Sequence, residues 1–275
     1  MRTESNWLVL SLLLPLVSLA VVGCAGDVNK GVVDPLPELA RIAHDRGTWF
    51  HVDGAYGGFG MLDERVRDLY GDVAEYDSFA IDPHKWMAAP VGTGAVIVRD
   101  EGVLARAFAV DTGDYDRERD RVVEGDPGSP FDEIGHGTPD LGVDFSTPAR
   151  GIAVWAILAE IGADGMRARV ARHFDCARRV ADRARASDDL ELLREPVLSI
   201  CCFRYRPAGE VDEVRLDAMN AEILRTVRAC GRCVLSSTRV AGRFAIRPCF
   251  INPRTSLEDA DALVDEVLAA GQQLS

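Results

Sequence analysis

The amino-acid sequence predicts an α/β protein that is built around a parallel β-sheet. From residue 19 onward, short apolar runs alternate with longer segments of helical character, and glycine or proline separates them. This alternation is typical of sheets whose parallel strands are joined by helical crossovers. The strand-like segments of the first half are residues 19–24, 48–52, 78–81 and 94–98.

The first predicted helix lies between the first two of these strands. Asp34 and Pro35 should start it, because an aspartate side chain accepts hydrogen bonds from free backbone N–H groups and proline fits the first turn. We expect the helix to run to about Arg46 and to close at Gly47. Glycine readily adopts the left-handed conformation that ends a helix.

The second half of the chain predicts a smaller α+β domain. It begins with two helices over residues 150–186 that are interrupted near Gly162–Gly165. The signals that follow are a strand at 198–205, a helix at about 212–229, strands near 232–237 and 243–248, and a helix from Leu257. Residues 111–144 are rich in acidic residues, glycine and proline, which is typical of a lid or a disordered link.

The composition argues against several classes of function. The 275-residue chain has 31 Lys and Arg against 44 Asp and Glu, which gives a net charge of -13. Nucleic acids and anionic membrane surfaces attract clustered positive charge, so we expect neither as a partner. Seven cysteines without a regular spacing favour a reducing, cytoplasmic location over a disulfide framework. Cys230 and Cys233 form one CxxC pair, but no second pair completes a zinc site, and we predict no metal.

The N-terminus allows two interpretations. Residues 7–22 are almost wholly apolar, and the run ends at Gly23-Cys24, like the cleavage box of a bacterial lipoprotein signal. Such a protein would be anchored to a membrane through Cys24. Alternatively, residues 19–24 form a buried strand of the sheet, since a strand in a parallel sheet is also an unbroken apolar run. The apolar pattern alone leaves both interpretations open.

Two short segments place chemically active residue types at strand ends. Asp53 follows the second strand-like segment, and Lys85 follows the third. In an open α/β sheet, ligands bind outside the carboxyl ends of the strands, so these side chains should meet at one rim. A lysine that forms a Schiff base and an aspartate that keeps a pyridine nitrogen protonated suit pyridoxal 5'-phosphate. The small residues around Ala55 would let the cofactor ring approach the backbone closely.

Three ordered blocks carry a resemblance to a known family. They read Ala25-Gly26-x-Val28-Asn29-x-Gly31-x-x-Asp34-Pro35, His51-Val-Asp-x-Ala-Tyr-Gly-Gly and Asp77-Ser78-x-x-x-Asp82-Pro83-His84-Lys85-Trp86. With these blocks, residues 19–270 resemble the group II pyridoxal-phosphate-dependent amino acid decarboxylases. That family includes aromatic amino acid, glutamate and diaminobutyrate decarboxylases. The resemblance begins within residues 19–24 and therefore favours the strand over the lipoprotein signal.

The resemblance implies a fold and an assembly. The fold would be a partial large domain of the aspartate aminotransferase type (fold type I) over residues 19–150. A smaller C-terminal α+β domain with its connecting helices would follow over residues 151–275. Residues 1–18 resemble nothing in the family and form an atypical apolar N-terminus. The family works as a homodimer on a small amino acid substrate.

The resemblance also assigns roles to individual residues. Lys85 would carry the cofactor, and Asp53 would pair with its pyridine nitrogen. Ala55 would pack on the cofactor ring and His84 would lie beside the lysine linkage. Asp82 would neighbour the cofactor phosphate.

One further catalytic residue is expected in the acidic segment. Tyr115 lies close to the family's mobile-loop tyrosine, which protonates the substrate carbon after carbon dioxide has left. The implied activity is decarboxylation of an L-amino acid to an amine and carbon dioxide.

The chain departs from the family in two places. Gly26-Asp27-Val28 stands where the family commonly has Gly-Thr-Thr, which resembles a variant branch with a different substrate. The family's N-terminal half has no counterpart before Ala25, and this second departure implies that the activity is impaired. The alternatives are a non-catalytic relic of the fold and a membrane-tethered lipoprotein with a binding role.

Overall fold

The computed structural model describes residues 20–100, 102–108, 141–144, 147–209 and 212–275. Its first sheet contains four strands, β1 (Ala20–Cys24), β2 (Trp49–Gly54), β3 (Ser78–Ile81) and β4 (Ala95–Val98), in the order β1-β2-β3-β4. The strand that competed with a lipoprotein signal is confirmed over Ala20–Cys24. Tyr115, Leu19 and the atypical N-terminus over residues 1–18 lie outside the described residues.

The prediction of a parallel sheet is right for three strands and wrong for the fourth. Strands β1, β2 and β3 run parallel, whereas β4 is antiparallel to β3. Residues 82–94, which join β3 to β4, form turns and contain no helix. A parallel connection needs a crossover that carries the chain back along the sheet, usually a helix. Without one, the chain re-enters the sheet in the opposite direction, and this connection carries Lys85.

Helix α1 (Leu36–Asp45) joins β1 to β2, as predicted, but it begins differently. Pro35 occupies the N-cap position, and no side chain caps the helix. The Asp34 carboxylate instead accepts a hydrogen bond of 2.8 Å from the backbone N–H of Cys24. Gly47 has φ +60°, so the predicted glycine at the end of the helix is confirmed.

The described packing on the first sheet lies mainly on one face. Leu36 and Leu39 of α1 lie over Gly23 and beside the Phe50 ring. A 3₁₀ helix (Gly57–Leu62) covers the same face near Phe79. The opposite face is more open: it exposes 62% of Val22 and 50% of Val96 and carries Asp53 at its rim.

The second half contains a four-stranded antiparallel sheet. The strands are β5 (Leu190–Arg194), β6 (Cys202–Tyr205), β7 (Ser236–Val240) and β8 (Arg243–Arg247), in the order β5-β6-β8-β7. The helices of this half, with the short helix that precedes them, are α2 (Gly102–Phe108), α3 (Arg150–Ala186), α4 (Glu213–Ala229) and α5 (Leu257–Leu274). The predicted interruption of α3 is confirmed, because Gly162 has φ 65° and breaks the helical backbone.

Two hydrophobic cores hold these elements together. The first lies against the first sheet, but it also includes Phe174 of α3 and Leu198, Ile200 and Ala245 from the second half. The second core lies between the antiparallel sheet and the helices α3, α4 and α5. The two halves are therefore packed closely against each other. The predicted domain boundaries at residues 18 and 150 stay a prediction.

All seven cysteines lie among the described residues, and all are free thiols. The described part of the chain contains no group of three or more side chains that could hold a metal ion. Within the same residues, no helix is both long enough and apolar enough to cross a membrane.

Candidate active site

Asp53 and Lys85 lie at the same end of the first sheet. Asp53 is the penultimate residue of β2 and pairs in register with Cys24 of β1 and Ala80 of β3. Lys85 follows the last residue of β3 by four positions, in the turn-rich connection to β4. Because β2 and β3 are parallel, Asp53 at the carboxyl end of β2 and Lys85 beyond the carboxyl end of β3 lie at the same edge of the sheet, where open α/β sheets bind ligands.

The Lys85 amine is held by a nearby carboxylate. Its Nζ atom lies 2.9 Å from Oδ2 of Asp82, and about a third of the side chain, 32%, is exposed. The same two residues form the turn, since the N–H of Lys85 donates to the Asp82 carbonyl at 3.0 Å. The amine is thus both accessible and paired. The position of Asp82 beside a phosphate stays a prediction.

His84 is fixed by the backbone of the same connection. Its Nδ1 atom lies 2.8 Å from the Thr93 carbonyl oxygen. A carbonyl oxygen only accepts, so Nδ1 carries the hydrogen and Nε2 is the free nitrogen of the neutral ring. Nε2 lies 3.9 Å from the Asp82 carboxylate. The structure therefore brings Asp82, His84 and Lys85 together in one turn, and their roles toward a cofactor stay predictions.

The Asp53 carboxylate points away from the core. Its Oδ1 atom accepts a 3.0 Å hydrogen bond from the N–H of Ala55, and its side chain is otherwise exposed. Its carbonyl oxygen accepts from the N–H of Ala25 at 2.8 Å, which continues the β1–β2 pairing. A carboxylate held at one oxygen and open at the other is free to accept a proton-bearing nitrogen.

The glycines near Ala55 serve the packing of the protein. A Cβ atom on Gly57 would lie 2.1 Å from the carbonyl oxygen of Ala25, and one on Gly54 would lie 2.2 Å from the Phe79 ring. Both glycines are therefore required by close packing within the protein. That the small residues around Ala55 let a cofactor ring approach the backbone stays a prediction. Ala55 itself is partly exposed at the rim.

The cysteine thiol at the rim is a poor nucleophile. Burial, with the nearby Asp53 carboxylate, raises the pKa of Cys24 to about 11. The thiol therefore stays protonated at neutral pH, and only a thiolate reacts readily. Lys85 is the better candidate for covalent chemistry at this rim.

The residue after Lys85 anchors the site to the core, which the sequence did not reveal. Trp86 is fully buried, and its Nε1–H donates to the carbonyl oxygen of Phe250 at 3.1 Å. Its ring stacks on His173 at 6.5 Å between centroids and packs on Phe174 at 5.7 Å. The loop that carries Lys85 is thus attached to the second half of the chain.

His173 gives this anchor a dependence on pH. It is fully buried, its Nε2 lies 2.9 Å from the Asn252 carbonyl oxygen, and its Nδ1 has no hydrogen-bond partner among the described residues. Burial, together with the charges of Arg172 and Arg169, lowers the pKa of His173 to about 4, although the Asn252 hydrogen bond opposes the shift. The folded protein therefore holds this ring neutral where an unfolded chain would protonate it.

We expect the folded state to lose stability as the pH falls from about 6.5 to about 4. Over that range His173 binds a proton in the unfolded chain but not in the folded protein, which lowers the free energy of unfolding by about 3 kcal/mol. His173→Gln, which keeps an N–H donor without a titrating ring, should flatten this part of the curve. The check is urea unfolding at several pH values, with His44→Gln as the exposed control. Equal acid sensitivity in the native and His173→Gln proteins would contradict the prediction.

Comparison with known proteins decides the family. The pyridoxal-dependent decarboxylase conserved domain matches residues 14–206. The chain belongs to this family. An aromatic-L-amino-acid decarboxylase from Bacillus atrophaeus is 29% identical over 255 residues, which cover 93% of this chain and 51% of the relative. The acidic amino acid decarboxylase GADL1 from Mus musculus is 26% identical over 266 residues, which cover 94% of this chain and 47% of the relative.

Solved structures of the family share the fold. The apo form of mouse CSAD matches with a TM-score of 0.80 at 23% identity, over 92% of this chain and 52% of that one. Oryza sativa TDC, solved with PLP and tryptamine, matches with a TM-score of 0.79 at 21% identity, over 93% and 51%. The predicted fold, a partial fold type I domain with a smaller α+β part, is confirmed. The chain spans about half the length of the curated relatives it matches.

The family's cofactor is pyridoxal 5'-phosphate, and the described residues fit its reactive half. The amine of Lys85 is accessible, and the Asp53 carboxylate is open at the end of the neighbouring strand. These two groups are what an aldehyde and a pyridine nitrogen require.

Proposed function

We propose that this protein binds pyridoxal 5'-phosphate through Lys85 and Asp53 and decarboxylates an L-amino acid to an amine and carbon dioxide. The observation that carries the proposal is the placement of an accessible lysine and an open aspartate at neighbouring strand ends, within a chain of the decarboxylase family. The substrate, the homodimer and the cytoplasmic location implied by the resemblance are parts of the same proposal.

When bound, the cofactor supplies an electron sink for the electron pair that the departing carboxyl group leaves behind. Asp53 would hold a proton on the pyridine nitrogen and so maintain the positive charge of the ring. Lys85 would provide the covalent attachment, and Asp82 would pair with its amine when that amine is free. His84, held by Thr93, would lie beside the linkage, and Ala55 would lie against the ring. Tyr115 would return the proton to the substrate carbon.

The proposal is tested by assaying the 275-residue chain with added cofactor. Carbon dioxide release should be measured on aromatic and acidic amino acids, because relatives named for both classes match this chain. We expect turnover to be slow compared with the Bacillus atrophaeus relative, since this chain spans about half of it. Release from no amino acid, together with no cofactor on Lys85, would contradict the proposal.

Replacing Asp53 with asparagine should slow turnover by about a hundredfold to a thousandfold, the usual cost of removing one preorganised electrostatic group. The neutral amide no longer favours the protonated pyridine, so the electron sink weakens. Cofactor should still be trapped on Lys85 by borohydride.

Where turnover is too slow to compare, the affinity for pyridoxal 5'-phosphate in equilibrium dialysis gives a second measure and should also fall. Asp45→Asn is the control, because Asp45 is an exposed carboxylate at the end of α1 that pairs with Arg41. An unchanged rate and an unchanged cofactor affinity in Asp53→Asn would show that Asp53 does not contact the cofactor.

A further inference from the structure

A closed ring of contacts connects the segment beside Asp53 with the segment beside Lys85. The hydroxyl of Tyr56 lies 2.8 Å from Oγ of Ser199 and accepts from the N–H of Ser199 at 3.2 Å. The Ser199 carbonyl oxygen accepts from the N–H of Phe250 at 2.9 Å. The Phe250 carbonyl oxygen accepts from Nε1–H of Trp86 at 3.1 Å, and the Trp86 ring returns to the Tyr56 ring at 5.3 Å between centroids.

All four members of the ring are buried. Ser199 and Trp86 are fully buried, and Tyr56 and Phe250 are nearly so. Burial raises the pKa of Tyr56 well above its ordinary value, so its hydroxyl stays protonated. Hydrogen bonds that are shielded from water in this way hold their partners more firmly than exposed ones.

The pairing of the first sheet does not by itself hold Lys85. The register between β2 and β3 ends at Gly54 and Ile81, and Lys85 lies four residues further on. Its own hydrogen bonds to Asp82 are local to the turn. Before Lys85, His84 is held by Thr93, within the same connection. After Lys85, the contacts reach other parts of the protein: Arg169 donates to the Met87 carbonyl oxygen at 2.7 Å, and Trp86 belongs to the ring of contacts.

We propose that Tyr56 and Ser199 are positioning residues that fix the strand end of Asp53 relative to the loop of Lys85 through the second half of the chain. The inference rests on the proposed function, since both groups must engage one rigid cofactor. Tyr56 follows Asp53 by three residues, and Trp86 follows Lys85 directly. The ring therefore acts on both sides of the site at once. Errors of about 1 Å in such an arrangement reduce rates by about a hundredfold.

The test compares two buried tyrosines in the cofactor-free 275-residue chain. Tyr56→Phe removes one hydroxyl group from the ring of contacts and keeps the packing of the Tyr56 aromatic ring on Trp86. Tyr76→Phe is the matched control, because Tyr76 is equally buried and its hydroxyl donates to the Tyr70 carbonyl oxygen, outside the ring. Amide hydrogen exchange is followed by mass spectrometry in residues 82–88 and 248–252.

We expect Tyr56→Phe to speed exchange in both segments about five- to tenfold, the effect of losing one buried hydrogen bond on local opening. Tyr76→Phe should leave both segments unchanged. Ser199→Ala is the milder change, because it keeps the hydrogen bond from the backbone N–H of residue 199. It should speed exchange in the same two segments, but by a smaller factor. Exchange that changes only around residue 56, or equally in the control, would overturn the positioning role.

A second readout follows the cofactor. Tyr56→Phe should raise the concentration of pyridoxal 5'-phosphate that half-saturates borohydride trapping on Lys85. Tyr76→Phe should leave this concentration unchanged. Equal half-saturation in the two variants would overturn the inference even if exchange differs. If the native chain takes no label at all, the proposed function fails, while the exchange result still decides whether the ring couples the two segments.

Discussion

Lys85→Arg should abolish covalent attachment of pyridoxal 5'-phosphate. Arginine keeps the positive charge and can still pair with Asp82, but a guanidinium group does not form a Schiff base, because it stays protonated. Borohydride reduction of the cofactor-loaded native chain should leave one pyridoxyl group. The Lys85→Arg chain should carry none, and its turnover should fall to background.

The composition of the chain makes this experiment unusually clear. Lys30 and Lys85 are its two lysines, so Lys30→Arg is a complete matched control and should label normally. Peptide mapping separates either lysine from the N-terminal amine. A label on Lys30 would refute the assignment of Lys85. A native chain that takes no label under cofactor excess would favour the non-catalytic relic over the enzyme.

Most of the candidate site could be predicted because its members lie close to strand ends. Asp53 ends one apolar run and His84-Lys85 follows another, so parallel strand order alone brings them to one rim. The supporting contacts could not be predicted in this way. Tyr56 and Ser199 are 143 residues apart, and Trp86 and Phe250 are 164 apart. Local sequence patterns do not predict a contact between residues so far apart in the chain.

The fold was predictable where a segment's own residues decide its structure. The strand at Ser78–Ile81 and the break at Gly162 are of this kind. Leu190–Arg194 was missed, because the sequence LELLR has helical propensity and becomes a strand by pairing with Cys202–Tyr205. The prediction began the neighbouring strand at residue 198, since Leu198 and Ile200 are apolar. Both are buried in the core from outside β6, and Ile200 forms an isolated β-bridge with Cys249.

The largest effect on stability is expected at Arg204, on the central strand β6. Its guanidinium is fully buried and donates from Nε to Glu191 at 2.7 Å. The two terminal nitrogens donate to the Glu213 carboxylate at 2.7 and 3.1 Å. Arg204 thereby joins β5, β6 and the first turn of α4. Removing Arg204 takes both hydrogen bonds from the Glu213 carboxylate and so leaves that charge without its main partner. Glu191 keeps the hydrogen bond that it accepts from Arg243.

Arg204→Met should destabilise the fold by about 3 kcal/mol, near the lower end for a broken buried pair, because Glu213 is half exposed. The hydrogen bonds from Arg204 hold the pKa of Glu213 below its ordinary value. Their contribution is present above the unfolded pKa of about 4.3 and is lost as the pH falls through the lower folded value. The deficit of Arg204→Met should therefore shrink in acid. Urea unfolding at neutral and acidic pH measures both effects.

Two further variants separate the cause of this loss from a general effect of losing an arginine. Arg225→Met removes an exposed guanidinium that pairs with Glu222 within α4, and it should change stability by less than about 0.5 kcal/mol. Arg204→Met combined with Glu213→Gln should recover part of the deficit, because the second change removes a carboxylate whose two hydrogen bonds both come from Arg204. A double variant that loses the sum of both single effects would show that packing around Arg204, and not its charge, stabilises the antiparallel sheet.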